Sequence, residues 1–335
     1  MHRTDDSKSQ IRIHYNRRLR SKAKQPVAPA ILGPVNLAFF RLRLHFRAVE
    51  PVRFPPGKAG NILRGAFGTA LRHVACVPEC TEAASCPRRA TCAYSRLFEP
   101  RAARGTGPSG LRDWPRPFVF RAAHLDGQRF QAGQHFHFDA HLFDLAQPGI
   151  EAFAASFARL AQEGIGPGRG RAELLGTELL GLDGTPSPQP IALSLERSAE
   201  NVSRILVRFV TPTELKGADS PAAFATLFSR IRDRISTLRA LYGPGPLEIE
   251  FHDMSERAAC VEMPRCELQW ERVERRSSRT GQSHSLGGFV GEAEYSGDLA
   301  EFLPYLDAAR WTGVGRQTVW GKGEIETRVL SFPTS

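Results

Sequence analysis

No apolar run in this chain approaches the ~20 consecutive residues that a bilayer core demands, which argues against a membrane-spanning helix. The first residues are charged throughout and lack the apolar stretch of a secretory leader, so a cytoplasmic protein is expected. Neither a Walker loop nor a dinucleotide fingerprint occurs, and the common nucleotide-enzyme motifs do not apply. Acidic side chains are in deficit: 35 Asp and Glu stand against 45 Lys and Arg, a formal net charge of +10. Such a field attracts polyanions and speeds encounter with them, without choosing a fold. In a reducing compartment the six cysteines do not read as a disulfide framework.

What is present suggests two cores. With 335 residues and 41% hydrophobic content, the chain divides most plausibly into domains at 34–190 and 191–335. Residues 1–33 are basic and then Pro/Ala-rich, which predicts a disordered basic arm. From Asn36 the residues alternate as a half-buried strand should, through Arg41, Leu42, Arg43, Leu44, His45 and Phe46. Ala59, Ile62, Leu63, Ala66, Phe67, Ala70, Leu71 and Val74 then form the apolar stripe of an amphipathic helix. Strand patterns at 117–122 and 134–145, a helix near 148–163 and a strand at 172–182 complete a unit. The order recurs from 204 to 330. Each half closes with a helix, a Gly/Arg loop (164–171, 313–323) and a strand. This repeat predicts an α+β protein of two tandem ferredoxin-like βαββαβ domains, each a four-stranded antiparallel sheet with two helices on one face.

Three groups of residues carry chemistry. The loop at 313–323 holds Gly313, Gly315, Gly321 and Gly323 beside Arg316, Lys322 and two tryptophans. Glycine lets backbone approach a ligand closely, cations answer phosphate, and indoles offer stacking faces to unpaired bases. A plain turn between helix and edge strand is the competing reading. Arg64 and Arg72 on the first helix, and Arg275, Arg276 and Arg279 in an arginine-rich loop, extend the candidate RNA-binding set. Cys76, Cys80, Cys86 and Cys92 lie in a segment at 76–98 that inserts into the first domain. Four thiolates suit structural zinc or, alternatively, an iron–sulfur cluster, although the spacing is not the paired C-x2-C pattern and free thiols remain open. His135, His137 and His141 share one strand face but span ~20 Å at the usual rise, too far for one ion, so a solvated or RNA-facing strand is expected.

These features together resemble the RAMP superfamily of CRISPR proteins, and within it the endoribonucleases that cut precursor CRISPR RNA at its repeats. The resemblance covers roughly 36–330. It rests on Gly60-Asn61-Ile62-Leu63-Arg64-Gly65-Ala66-Phe67-Gly68, Thr211-Pro212-Thr213-Glu214-Leu215, Gly287-Gly288-Phe289-Val290-Gly291, Tyr295-Ser296-Gly297-Asp298-Leu299 and the C-terminal glycine loop. It implies metal-independent attack of a ribose 2′-OH on the adjacent phosphate, with a 2′,3′-cyclic phosphate as product. That chemistry needs a base, an acid and cations, and histidine suits the first two roles. The family often draws its histidine from the first helix, which points to His73, on the shoulder of the apolar stripe; His45 and His284 follow. Implied partners are CRISPR repeat RNA, retained as product hairpin, and other effector-complex subunits. The competing function is a non-catalytic RAMP subunit that holds guide RNA.

Overall fold

The computed structural model describes residues 35–77, 79–80, 83, 85–100, 114–215, 222–272, 274–276, 283–285 and 287–330. The expected basic arm (1–33) and Arg279 lie outside the described residues. In chain order the first half contains β1 (Asn36–Ala48), β2 (Val52–Arg53), α1 (Ala59–Ala75), β3 (Phe118–Arg121), β4 (Arg129–Phe130), β5 (His135–Leu142), α2 (Ile150–Glu163) and β6 (Ala172–Leu180). The second contains β7 (Ile191–Ser194), β8 (Arg204–Thr213), α3 (Phe224–Tyr242), α4 (Phe251–Ala259), β9 (Glu262–Glu271), β10 (Glu274–Arg276), β11 (Ser283–Ser285), β12 (Gly288–Ser296), α5 (Leu303–Thr312) and β13 (Ile325–Val329). Among the described residues no helix is long and apolar enough to cross a membrane.

Two antiparallel sheets result, ordered β3-β5-β1-β6 and β13-β8-β12-β9. Each places the second strand of its βαββαβ unit at one edge and the fourth at the other, the ferredoxin-like order the repeat predicts. The alternation in β1 sends Leu42, Leu44 and Phe46 inward, where Phe67 of α1 stacks on Phe153 and Phe157 of α2 at 4.4 and 5.3 Å between ring centroids. Each fully buried side chain of this kind contributes about 1.5–3 kcal/mol. A second core lies under α3 and α5, yet it also takes in Leu37 and Phe39 from the start of β1. There β7 pairs with β1, so the first strand is shared by both halves. The sequence pattern does not anticipate β7, α4, or the β2–β4 and β10–β11 ribbons, all short pieces.

The outer face of the first sheet meets the C-terminal end of α5. The last carbonyls of a helix have no partner within it. Here Arg121 on β3 donates to the Arg310 carbonyl at 2.6 and 3.2 Å. Nδ1 of His141 on β5 bonds to the Trp311 carbonyl at 2.9 Å, and Arg234 on α3 donates to the Thr312 carbonyl at 2.9 Å. Three successive orphan carbonyls, at the negative end of the helix dipole, are thus met by three side chains from three other elements.

The surroundings disfavour charge on these donors. Burial, and next the charge of Arg121, push the His141 imidazole from 6.5 down to about 3. Burial and the same neighbour lower Arg234 to about 10. A histidine kept neutral in the folded state contributes stability above pH 6.5 that is lost as pH falls toward 3, because the unfolded chain binds the proton more readily. We therefore expect the melting temperature to fall more steeply for wild type than for His141→Gln between pH 6.5 and 4. Parallel slopes in thermal melts across that range would remove His141 as the titrating group.

Candidate functional site

The glycine loop packs against its own chain. Gly313, Gly315, Gly321 and Gly323 all have positive φ, between 68° and 76°. A Cβ on Gly315 would collide with the Glu214 carbonyl oxygen. Backbone bonds tie Val314 to Gly323, Gly323 to Pro212 and Arg316 to Glu214, so the loop is laced to the Thr211–Leu215 segment. On its other side the 3₁₀ turn Thr318–Trp320 rests on α1. Gly60 makes that approach possible, since a Cβ there would strike the Trp320 carbonyl.

These contacts correct the expected roles of several loop residues. Lys322 is buried, 5% exposed, with Nζ 3.4 Å from the Gly57 carbonyl and its pKa lowered by burial. It faces Asp126, whose Oδ1 accepts from the Ala59 amide at the start of α1 at 2.8 Å. Lys322 therefore points into the protein rather than toward a ligand. Trp311 packs against Phe39 and His141 at 5.2 and 5.0 Å, and Arg64 lies between the rings of Phe98 and Trp320 at 4.4 and 4.9 Å. The indole faces expected to stack bases are engaged by these neighbours. Arg316 stays exposed and forms an ion pair with Glu214 at 2.8 Å. Arg72 is exposed in the last turn of α1.

The candidate histidines do not converge. His73 is exposed rather than half-buried in the last turn of α1, and among the described residues it has no hydrogen-bond or ion-pair partner. His45 lies on the face of β1 opposite α1, because Leu44 and Phe46 take the helix side. It stands 3.6 Å from Glu178 and 6.0 Å, ring to ring, from His137. Since the sheet separates them, His73 and His45 cannot serve one reaction as acid and base. His284 sits on β11 opposite Arg275 of β10, with Arg276 beside it. The His135–His137–His141 face is less open than expected, since His141 is buried against Trp311 and His137 is only partly exposed. Its cations are also largely self-neutralised: Arg41 and Arg43 share Asp139, and Arg47 pairs with Glu173.

The four cysteines are neighbours in space as well as in sequence. Cys76, which caps α1, hydrogen-bonds through its thiol with Cys80 and Cys92, and Cys80 with Cys86. Burial, then the adjacent thiols, push Cys76 up to about 12. Cys80 also lies near Cys92, so the sulfurs form one group, yet among the described residues no three His, Cys, Asp or Glu side chains are placed to hold a metal ion. As placed, they do not fit the expected zinc or iron–sulfur centre, which requires all four thiolates around one ion or cluster.

Comparison with known proteins agrees with this architecture. A family model described as an N-terminal domain, AF_1859_N, matches residues 37–201, and the model of CRISPR-associated endoribonuclease Cas6 matches 207–325. No curated protein matches the chain significantly. The Thermus thermophilus Cas6 TTHB231, solved as a product complex, superposes with a TM-score of 0.51 at 19% identity, covering 88% of this chain and 100% of that one. A Cas6 segment within a partial Cas6-RT-Cas1–Cas2 complex gives 0.51 at 14% identity, over 88% of this chain and 46% of that one. The glycine loop and most of the second sheet lie within the segment that matches this endoribonuclease model. Residues 207–325 match the Cas6 family model, and the fold of the chain is similar to that of solved Cas6 proteins.

Sequence reasoning missed Arg121 and Arg234 and placed His141 on a solvated or RNA-facing strand; these three fix α5 and hence the loop that follows it, and cations within otherwise apolar strand and helix patterns were the available signal. The tight seat of the loop on α1 can be tested by paired substitutions. Gly60→Ala should destabilise by about 1–3 kcal/mol through overpacking. Gly65→Ala, on the same helix with open space around a new Cβ, should stabilise by about 1 kcal/mol. Urea denaturation of both variants checks the opposed signs.

Proposed function

We propose that this chain cuts precursor CRISPR RNA within its repeats and remains bound to the product hairpin. The 2′-OH at the scissile nucleotide loses its proton and attacks the adjacent phosphorus. The P–O5′ bond breaks, leaving a 2′,3′-cyclic phosphate and a protonated 5′-OH. No metal is needed in this scheme, because the protons move through side chains and arginines offset the charge on the phosphorane.

The observation that carries the assignment of His73 is its placement, at the exposed end of α1 next to Arg72 and without an internal partner among the described residues. His45 is held near Glu178 on the far side of the sheet. The buried His141, down at about 3, is neutral at physiological pH and cannot exchange protons with a ligand. An exposed, uncommitted imidazole is the side chain best suited to general acid–base work. The residues resembling those of repeat-cutting enzymes, and the product complex of the Thermus Cas6 named above, support RNA as the ligand.

Incubating the protein with its own repeat RNA in EDTA tests the reading. One cut, with a 2′,3′-cyclic end and none when the scissile ribose is 2′-deoxy, is expected. Binding without cutting would favour the guide-holding subunit instead. In the same assay His73→Ala should slow single-turnover cleavage by about 10²–10⁴-fold with affinity nearly intact. A rate within about twofold of wild type would shift the role to another residue, first His45 or His284.

A further inference from the structure

On the two-stranded β2–β4 ribbon, Val52 stands opposite Phe130 and Arg53 directly opposite Arg129. Directly paired residues share a face with Cβ atoms about 4.5–5.5 Å apart, where like charges repel and destabilise the pair. Both guanidiniums are exposed, and among the described residues neither has a carboxylate or hydrogen-bond partner. Several other surface arginines are neutralised: Arg171 pairs with Glu50, Arg197 with Asp298 and Arg257 with Glu301. Nearby acids are also committed, Glu50 to Arg171 and Asp126 to the start of α1 beside Lys322.

The loop that precedes β6 closes onto this ribbon. It corresponds, in the first half of the repeat, to the glycine loop of the second half. Ile165 bridges Gly170, and Gly166 lies so close to the Arg53 carbonyl that a Cβ would come within 2.5 Å of it. Within the loop Arg169 is held at φ 48°, an uncommon conformation for a residue other than glycine. Its guanidinium is exposed and donates to the Glu163 carbonyl at 3.1 Å. From the ribbon, Phe54 bonds to the Gln128 carbonyl, and the chain runs through Gly57, which Lys322 touches, into α1. The uncompensated cations therefore continue the junction at which α1 meets the C-terminal glycine loop.

We propose that Arg53 and Arg129, flanked by Arg169, form a second phosphate-binding surface for the RNA, built on the first half's own loop. The inference rests on the functional reading above and extends the RNA path along the N-terminal unit. Paired guanidiniums fit successive phosphodiester oxygens, and a bound polyanion supplies the charge the fold withholds. Val52 is buried and Phe130 half-buried, so the exposed chemistry is cationic. Such contacts position the strand without reading its sequence.

The test uses the full chain, wild type and the double variant Arg53→Gln/Arg129→Gln, with a repeat RNA made uncleavable by a 2′-deoxy scissile ribose. Affinity is measured across a salt series. Losing two single-strand phosphate contacts should lower the slope of log K against log salt by about 1.4 and weaken binding roughly twentyfold at 0.1 M salt. The melting temperature should hold or rise, since a repulsive pair is removed, which separates lost contacts from lost folding. Wild type that binds and cuts repeat RNA, with an unchanged slope in the variant, would overturn this proposal alone. Loss of association with a CRISPR partner protein at unchanged RNA slope would assign the ribbon to that protein and overturn it too. Wild type that neither binds nor cuts repeat RNA would remove the functional reading, and this surface with it.

Discussion

The last carbonyls of α5 are the point on which the rest of the structure depends. A helix end buried without partners would strand several hydrogen-bond acceptors, each costing about 1–3 kcal/mol. Arg121 and His141 reach them from the first sheet, and Arg234 from α3. One set of contacts thus satisfies the helix, docks one half of the molecule on the other and fixes the direction in which the chain leaves at Gly313. Two buried guanidiniums lie close enough for Arg121 to depress Arg234, an arrangement that would be costly without the negative helix end between them.

From this joint follows the conformation of the glycine loop. Its start is set by α5, its middle is laced to Glu214 and Pro212, and its 3₁₀ turn sits in the space that Gly60 leaves on α1. The loop links the second half to the first helix of the first half, the helix that carries Arg72 and His73 at its far end. Lys322 joins in from inside, near Gly57 and Asp126, and so ties the loop to the N-terminus of α1. Rigid placement of α1 by the loop is a structural use of glycine. It differs from the expected use, in which the same residues let backbone approach a ligand.

Much of the architecture was legible in the sequence. The apolar alternation of β1, the stripe of α1 and the repeated order of elements carry a period that burial enforces, and both sheets follow it. Side-chain roles were harder to read, because they depend on what lies across an interface. Lys322 and Arg316 look alike in the string, yet one is buried on a carbonyl and the other exposed on Glu214. His73 and His45 are both polar residues beside apolar ones, and only the sheet between them shows that they face different ways. Cys76, Cys80, Cys86 and Cys92 do come together, but mutual proximity is a different arrangement from convergence on one ion.

The same distinction governs the net charge. A formal +10 describes the field at long range, where each cation counts wherever it sits and helps to gather RNA. At contact range only unsatisfied, exposed cations can reach a phosphate. Arg121, Arg234, Arg239 and Lys322 bond to backbone carbonyls inside the fold, and Arg41, Arg43 and Arg47 are held by carboxylates on the outer sheet face. The polar strand face that alternation picks out in β1 and β5 is therefore the less suited to phosphate, whereas the short β2–β4 ribbon, with no clear pattern, retains opposed guanidiniums. Periodicity records where a chain is buried; the surplus of charge over internal partners records where a polyanion would be held.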